Sequence, residues 1–388
     1  MTTFSSGSYH GLAWVTETTF GLPSSATLIS LRHTSCALAL AKETFQSAEL
    51  RSDRQITDFR HGNQKPAGNI GIEISYGEFD TFLEAALGGT WQGAYSNTGA
   101  TWSAGRPTSA TTFHFASTAA QSLATGDVFS VSGFTGTTAV YLNRTFVVAG
   151  HALAKTVTVL GTSLATHNAG DTVTIRRDPS LKAGTTKRSF SIERTFGDIA
   201  RYQQFTGCVV NSLNLAVKPN AIVTGEFGML AKAAFSTQTP WDATPTASQT
   251  NAPFDSFTGT IKEGGTAVAY VTAVDLKLDN GGTPTYVIGD DETPCIPLGR
   301  SNITGSLDVY FQDLVMLKKS EAETVSSIEF FLGTGLEGGK SYRVYLPNVK
   351  YGSGDNPASD EKPIMLKMNY QALYGVTAKT NIQITRIA

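Results

Sequence analysis

The stretch from Gly71 to Leu87, which reads GIEISYGEFDTFLEAAL, constrains the fold more than any other part of the chain. Ile72 and Ile74 alternate with polar residues, and this period of two predicts a strand with one buried face. From Phe79 onward the apolar residues recur at the spacing of a helix, with acidic residues on the opposite side. We therefore expect a strand that runs directly into a short amphipathic helix, which ends at Gly88.

The same order of residues returns near the end of the chain. Leu307 and Leu314 stand in for Ile72 and Phe79 with a common offset of 235 residues, whereas Ser327–Glu329 matches Ser191–Glu193 with a smaller offset. A third match aligns the alternating Cys36, Leu38 and Leu40 with Val274, Leu276 and Leu278. Short matches in one common order predict two tandem copies of a β-rich unit. The offset is smaller at the later match than at the earlier one. The first copy therefore contains extra residues between the two matched segments, which we expect to be inserted into a surface turn.

These patterns predict a mainly β (α+β) protein. We expect residues 1–33 to form an extended arm, 34–90 and 188–235 a discontinuous first unit, 91–187 an inserted all-β module, 236–266 a linker, and 267–388 the second unit. Each unit is predicted to be a β-sandwich or split barrel with one flanking helix, and the second helix should lie near Gln312 to Lys319. In the insert, short alternating runs such as FSVSG and DTVTIRR, separated by Gly, Asn and Thr turns, predict strands.

Composition limits the classes of protein. The 388 residues suffice for two or three domains, and the three distant cysteines favour free thiols in a cytosolic setting over a disulfide framework. The sequence shows neither a signal-peptide pattern nor an apolar run of the ~18 residues that would span a bilayer, so we expect no membrane association. Only 16% of residues are charged and the net charge is -2, which argues against a protein that grips nucleic acid.

Two charged loops stand out against this neutral background. The first holds Arg51, Asp53, Arg54, Asp58 and Arg60, and its counterpart in the second unit holds Asp290 and Asp291. Mixed charge on a long loop is commonly no more than a solvated surface. The sharper hypothesis is a contact surface between copies, where paired charges fix the register of the contact.

The residue patterns of common active sites do not occur. The histidines are scattered without HxH or HExxH spacing, and the GxGxxG run from Gly333 continues into the alternating SYRVYLP, which predicts a hairpin turn rather than a phosphate loop. We interpret Asp290 to Glu292 as a solvated turn rather than a cation site. The sequence thus predicts no catalytic residue, no cofactor and no metal. A glycosidase using Glu73 and Glu193 stays as an alternative that would need two convergent carboxylates.

The chain resembles the tail tube (major tail) proteins of long-tailed, non-contractile bacteriophages. The likeness lies in VTETTFGLP, SAELRSDRQ, GNIGIEISYGEFDTFLEAALGG, SFSIERTF and FTGCVVNSLNLAV, in that order. It implies a structural virion protein, made and assembled in the host cytoplasm, that stacks into rings around a channel for DNA ejection. The tape measure protein and the tail-end proteins are the implied partners. Since the chain carries two units, three copies would form a ring with approximate sixfold symmetry.

A channel for DNA should be polar and neutral or acidic, because a basic lining would hold the phosphates and slow their passage. Candidate lining residues are the polar members of alternating strands: Glu73, Ser75, Ser212, Asn214, Asp275 and Asp308. A second class of function is also open. The hydroxyl-rich insert with Trp91 and Trp102 would suit a carbohydrate-binding β-sandwich protein on the virion or cell surface.

Overall fold

The computed structural model describes residues 4–101, 111–115, 122–137, 139–153, 156–160, 164, 171–256, 260–268, 270–336, 339–355, 361 and 363–387. Within these residues the fold is mainly β, as predicted, with two longer helices that each follow a strand. Trp102 of the carbohydrate hypothesis lies outside the described residues.

The elements follow one another in this order. The first part of the chain forms β1 (His10–Thr16), β2 (Ile29–Ser30), β3 (Ser35–Cys36), β4 (Lys42–Gln46), β5 (Phe59–Gln64), β6 (Ala67–Glu73) and α1 (Asp80–Leu87), after a 3-10 turn at Gly7–Tyr9. Then come β7 (Tyr95–Thr101), β8 (Thr112–His114), β9 (Val128–Ser132), α2 (Ala139–Leu142), β10 (Thr145–Leu153), β11 (Thr156–Val159) and β12 (Thr172–Arg177). The middle of the chain forms β13 (Ser180–Lys182), β14 (Phe190–Phe196), β15 (Arg201–Val217), β16 (Thr224–Leu230) and β17 (Ala233–Thr237). The last part forms β18 (Ile261–Glu263), β19 (Thr266–Ala267), β20 (Val271–Asp279), β21 (Asn302–Tyr310), α3 (Val315–Glu321), β22 (Ser326–Leu332), β23 (Ser341–Asp355), β24 (Met365–Leu373) and β25 (Gln383–Ile387).

Eight strands form one continuous antiparallel surface, which we call the joined sheet. Its order is β3-β6-β16-β15-β20-β21-β24-β23, with the C-terminal parts of β15 and β23 taking part. The first four of these strands all end by Leu230, and the other four all begin at Val271 or later. The pairing of β15 with β20, from Ser212↔Asp279 to Val217↔Val274, joins the two halves.

The strand pairing of the first half is repeated in the second half. β6 pairs with β3 and β16 as β21 pairs with β20 and β24. The N-terminal parts of β15 and β23 turn away into a second layer, where they pair with β14 and β17 or with β22 and β25. The side chains between the layers form one hydrophobic core that extends through both repeats. The two repeats therefore share a core rather than forming separate globules.

One sequence match is wrong by two residues. Cys36 pairs with Ile70 in the position where Leu276 pairs with Gly305, so Cys36 corresponds to Leu276 and not to Val274. The error has a simple cause: side chains in a strand alternate with a period of two, so an alternating pattern can slide by two residues without changing its appearance.

The two longer helices begin at equivalent positions. α1 starts after Phe79 and α3 starts after Leu314, the pair that the sequence match had aligned. Gly88 ends α1 in the left-handed region, with φ 61°, where a side chain would be strained. The helix predicted near Gln312 to Lys319 begins at Val315, three residues later than expected, and the side chain of Asp313 just before it accepts a hydrogen bond from the backbone N–H of Val315 at 2.8 Å.

A separate six-stranded sheet, β7-β12-β9-β10-β11-β8, has its own core of aromatic and aliphatic side chains. It contacts the second repeat through a small apolar cluster of Val128, Val147, Phe331 and Ile387. Buried Arg343 of β23 adds a hydrogen bond of 2.9 Å to the backbone carbonyl of Gly126. All six strands lie inside the predicted insert, and the boundaries at 91 and 187 stay predictions.

The predicted arm and linker are both packed on the chain itself. All seven residues of β1 pair with β14, so this part of the arm belongs to the second layer. Buried Glu17 then accepts hydrogen bonds from the hydroxyls of Ser189 and Ser191 and from the backbone of Gly21 and Gly207. Within the linker, β18 pairs with β22 and Phe254 is buried. Neither segment is a free tether along these residues.

Candidate functional site: a continuous polar sheet face

One face of the joined sheet is polar across its width. A row of residues paired across neighbouring strands runs Gly71, Glu226, Asn214, Lys277, Thr304, Gln371 and Lys350. One step along each strand the side chains point to the other face, and the corresponding row Ile70, Phe227, Leu213, Leu278 and Ile303 is fully buried. The polar face is concave, with an open depression of about 870 Å³ over its centre. We call this surface the polar face.

Five of the six predicted lining residues lie on the polar face. Glu73 and Asp275 occupy one row, in register with Thr224, Ala216 and Ser306. Ser212, Asn214 and Asp308 occupy neighbouring rows on the same side of the sheet, and all five predicted side chains are half-buried. The structure thus brings together residues that are more than 200 positions apart in sequence.

Ser75, the sixth predicted lining residue, does not lie on the polar face. It is 0% exposed: β6 ends at Glu73, and Ser75 then forms an antiparallel bridge with Pro253. Its hydroxyl accepts a hydrogen bond from the guanidinium of Arg32 at 3.3 Å. The alternation that suggested Ser75 continues for two residues beyond the sheet itself.

The polar face also holds residues that the sequence analysis missed: Glu226, Lys277, Asp279, Lys350, Lys367, Asn369 and Gln371. Each alternates with buried residues, as Lys367 and Asn369 alternate with Leu366, Met368 and Tyr370. The signal that would have found them is this same period of two, applied to every strand rather than to the best-matched ones.

Acidic side chains outnumber basic ones on the polar face. Glu73, Glu226, Asp275, Asp279 and Asp308 face three lysines, and this part of the sheet presents no arginine among the described residues. Side-chain amides form hydrogen bonds along this surface. Asn69 donates to the carboxylate of Glu226 at 2.9 Å, and Gln371 donates to the side-chain carbonyl of Asn302 at 3.0 Å. The surface is hydrophilic, weakly charged and internally hydrogen-bonded, which makes it a poor binding surface for phosphates.

The first charged loop is a two-stranded hairpin that projects from one end of the joined sheet. β4 pairs with β5. The predicted contact residues Arg51, Asp53, Arg54 and Asp58 lie exposed in the loop between these strands, and Arg60 lies exposed at the start of β5. Arg51 and Arg60 each pair with a neighbouring carboxylate at 2.6 Å, Arg51 with Asp53 and Arg60 with Asp58. The hydrogen bonds from Arg51 hold the pKa of Asp53 below its ordinary value.

The second charged loop packs on the base of this hairpin. Gln64 donates through its backbone to the carbonyl of Asp291 at 2.8 Å and through its side chain to the carboxylate at 2.9 Å. Tyr286 donates to the backbone carbonyl of Gln64 at 2.9 Å. Asp290 is exposed beside them and accepts a hydrogen bond from the backbone of Glu292. Residues from both repeats therefore form one projecting end structure.

Four apolar side chains on the hairpin are largely exposed. Leu50 is 99% exposed, and Phe45, Ile56 and Phe59 are each more than half exposed. An isolated two-stranded hairpin is marginally stable in water, and exposed apolar groups of this size are typical of an interaction site. The sequence analysis found the charges of this loop but missed these four residues.

The family model described as phage tail tube protein matches residues 7–372 of the chain. The chain belongs to the phage tail tube protein family. A comparison with curated proteins gave no significant match. As a tail tube protein, the chain is a structural component of the virion tail.

The two carboxylates of the glycosidase alternative have different surroundings in this tail tube protein. Glu73 lies at the end of β6 on the polar face, whereas Glu193 is 1% exposed on β14. The Glu193 carboxylate accepts hydrogen bonds from the side chain of Gln204 at 2.6 Å and from the backbone of Trp241 at 2.7 Å. These bonds give Glu193 a structural role.

Trp91 of the carbohydrate alternative is engaged within the chain. Its indole N–H donates to the carbonyl of Asp80 at 3.1 Å, and its ring lies 5.6 Å from the guanidinium of Arg386. Along the described ranges no helix is long and apolar enough to span a bilayer. The same residues contain no group of three or more His, Cys, Asp or Glu side chains arranged to hold a metal ion.

Proposed function

We propose that three copies of this chain close into a ring with approximate sixfold symmetry, and that stacked rings form a tube through which DNA passes during ejection. The observation that carries the proposal is the joined sheet. Each chain supplies two equivalent four-stranded halves side by side, with one polar face across all eight strands. Three chains would then supply six halves around one axis.

In this arrangement the polar face lines the channel, and Glu73, Ser212, Asn214, Asp275 and Asp308 point into it. Its acidic excess repels DNA phosphates, while its hydroxyl and amide groups hold water against the wall. A lining rich in arginine and lysine would release counterions on contact with DNA and would bind it. The face therefore favours a DNA molecule that slides and is not retained.

Ring stacking would use the two opposite margins of the joined sheet at which its strands begin and finish. At one end the hairpin presents the charges of Arg51, Asp53, Arg54, Asp58 and Arg60 around its exposed apolar residues, with Asp290 and Asp291 at its base. At the other end β21 finishes at Tyr310, and here Tyr310, Leu314, Val315 and Ile364 are exposed. Two different apolar ends suit a head-to-tail contact that repeats along an axis.

Other tail components would meet this tube. The tape measure protein would occupy the channel during assembly, and the tail-end proteins would cover the first and last rings. We place the assembly in the host cytoplasm, where the cysteines would remain thiols.

Negative-stain electron microscopy of the purified chain tests the proposal. We expect rings with three-fold symmetry and hollow tubes. A Leu50→Asp, Ile56→Asp variant should form rings that do not stack, whereas a Thr18→Asp, Thr19→Asp variant with the same added charge on the exposed arm should stack normally. Protein that stays strictly monomeric at high concentration, even with tail initiation factors present, would overturn the proposal.

A further inference from the structure

Direct strand pairing connects the two repeats in only one of their two layers. In the joined sheet, β15 of the first repeat pairs with β20 of the second. In the second layer, β14 and β17 pair with β15, whereas β22 and β25 pair with β23. Among the described residues, no strand of the first of these sets pairs with a strand of the other. The angle between the two outer layers must therefore be set by something else.

The residues that leave the six-stranded sheet lie between the two outer layers. Residues 179–186, which we call the bridging segment, contain β13, and β13 pairs with β25 of the second repeat along its whole length. The backbone N–H of Arg386 extends this pairing by donating to the carbonyl of Pro179 at 2.9 Å. Leu181 is fully buried in the shared core. The bridging segment is thus part of the outer layer of the second repeat.

The other end of the bridging segment is bonded to the first repeat. The backbone N–H groups of Gly184 and Thr186 donate to carbonyls at the C-terminal end of α1, those of Leu87 and Gly88, at 3.0 and 2.7 Å. The two backbones approach so closely that a Cβ on Gly184 would lie 2.6 Å from the carbonyl oxygen of Gly88. The segment therefore connects α1 of the first repeat to β25 of the second.

An ion pair and two cation–π contacts strengthen the same junction. Arg386 of β25 pairs with Asp80 of α1, whose side chain is only 14% exposed. The guanidinium of Arg386 lies 5.9 Å from the ring of Tyr76 and 5.6 Å from the ring of Trp91. Tyr342 of β23 also donates a hydrogen bond to Asp80. Such contacts gain strength where water is partly excluded, so this cluster holds α1 firmly against the second repeat.

The six-stranded sheet packs on the same two strands of the second repeat, β23 and β25. The turn before β9 places Gly126 against β25, where a Cβ would lie 2.7 Å from the side-chain oxygen of the fully buried Gln383. Arg343 of β23 donates to the carbonyl of Gly126 at 2.9 Å, and the apolar cluster around Phe331 adjoins this contact. The inserted residues thus start from the first repeat and are packed on the second.

The second repeat lacks such a connection at the equivalent place. In the first repeat, residues 88–189 separate α1 from β14. In the second repeat, only residues 322–325 separate α3 from β22. The chain therefore makes this connection at the joint between its own two repeats.

We propose that the inserted residues act as a brace, in which the six-stranded sheet and the bridging segment fix the angle between the two repeats of one chain. With the joined sheet on one side and the brace on the other, the repeats are connected in both layers and move as one rigid body. The brace acts within a single chain and does not depend on ring formation. In a ring of the proposed kind, it would also set the curvature at every second joint.

Pulsed electron paramagnetic resonance on the unassembled chain tests the brace. Spin labels on Ser236→Cys and Thr266→Cys, at exposed positions in the outer layers of the first and second repeats, report the distance between the repeats. Cys36→Ser and Cys295→Ser remove the other accessible thiols, since Cys208 is buried. The width of the distance distribution measures how freely the repeats move relative to each other.

The first variant, Gly126→Val, separates the six-stranded sheet from β25, because the added side chain would overlap the buried Gln383. Its matched control is Gly136→Val. Gly136 has a similar left-handed φ, 80° against 88°, but nothing lies within 4 Å of its Cβ position. Both substitutions strain the backbone alike, and only the first meets the second repeat. We expect the distance distribution to widen at least about twofold in Gly126→Val and to stay as in the parent in Gly136→Val.

A second variant, Arg386→Gln, weakens the junction without altering the six-stranded sheet, and so covers the case in which Gly126→Val unfolds that sheet. Its control, Lys350→Gln, removes an ion pair of 2.9 Å with Glu323 that lies within the second repeat. In Arg386→Gln we expect a wider distance distribution and about fivefold faster hydrogen exchange at the amide of Gly184. Lys350→Gln should match the parent in both measurements.

Distributions as narrow in Gly126→Val and Arg386→Gln as in the parent would overturn the brace and leave the proposed function standing. A widening that Gly136→Val shares would arise from strain within the six-stranded sheet and would likewise overturn the brace. If the variants behave as expected but the parent forms neither rings nor tubes, the brace stands and the proposed function falls.

Discussion

The two repeats pair their strands in the same order but are covered differently. α1 buries five of its eight residues against the shared core, whereas α3 buries only Met316. The first repeat extends a hairpin from the end of its sheet where the second has an irregular loop. Backbone pairing and the buried alternation are common to both repeats, while the helices, loops and polar positions are not. The approximate symmetry of the chain therefore belongs to its sheet.

The largest expected effect comes from the better packed helix. Phe82 is 0% exposed and contacts the rings of Trp14, Phe190 and Phe227. We expect Phe82→Ala to lower the free energy of unfolding by about 3–5 kcal/mol, through lost burial and the cavity it leaves. Urea denaturation below the concentration at which the chain assembles measures this loss.

Changes at the helix of the second repeat sharpen the comparison. Met316→Ala should cost about 2 kcal/mol, and Leu314→Ala, which removes an exposed side chain, less than about 0.5 kcal/mol. Equal losses for Phe82→Ala and Met316→Ala would show that the two helices contribute alike and would contradict the difference in their burial.

A second contrast lies between the buried glutamates of the two repeats. Glu193 accepts from the neutral Gln204, whereas Glu329 pairs with the fully buried Arg343 at 2.7 Å and with Lys262 at 3.2 Å. Burial raises the pKa of Glu329, but the two cations outweigh it and leave that pKa below its ordinary value. Removing one partner of a buried pair leaves a charge without compensation.

We therefore expect Arg343→Ala to cost about 3 kcal/mol, at the low end for such pairs because Lys262 remains. Gln204→Ala, which removes a neutral donor, should cost about 1–2 kcal/mol. The Arg343→Ala, Glu329→Gln double variant should recover part of the loss. A double variant that is no more stable than Arg343→Ala would show that the cost comes from packing rather than from the unpaired carboxylate.

The sequence predicted what local patterning determines. The strand that runs into α1, the mainly β class and the placement of five of the six candidate residues on one face of the sheet follow from the period of two and its change to a helical period. Ser75 lies off that face, because no pattern shows where a strand leaves its sheet. The exposure of Phe45 and Leu50, and the contact of Arg194 with the carbonyl of Leu38 156 residues away, depend on tertiary placement, which alternation does not encode.

The histidines offer a third contrast, because all six precede residue 168. Burial, together with the charges of Arg194 and His33, lowers the pKa of His10 from 6.5 to about 4. The unfolded chain therefore binds more protons between these values, so stability is complete above pH 6.5 and falls as the pH decreases toward 4. Because His10 is partly exposed, we expect a loss of on the order of 1 kcal/mol.

Comparing unfolding of the parent chain and His10→Gln from pH 7 to 4 measures this contribution. The variant should show the smaller loss, since it has no imidazole to protonate. His61→Gln, on the exposed hairpin, should follow the parent. Identical pH profiles for the parent and His10→Gln would show that His10 is as easily protonated in the folded state as in the unfolded one.

The smallest effect on stability, and the most direct test of the polar face, comes from adding positive charge to it. Asn214→Lys with Asn369→Lys places one new lysine on the corresponding face of each half, with stability unchanged within about 0.5 kcal/mol. If this face lines the channel, the lysines should contact phosphates. Each contact should steepen the slope of log DNA affinity against log salt concentration by about 0.9, and ejection should slow in a way that high salt reverses.

The control variant, Thr18→Lys with Thr244→Lys, adds the same charge at exposed residues outside the joined sheet and should leave ejection unchanged. Ejection from particles carrying either pair, timed at low and high salt, separates the two cases, because lysines that slow ejection equally from both positions would act through net charge and not through the channel wall.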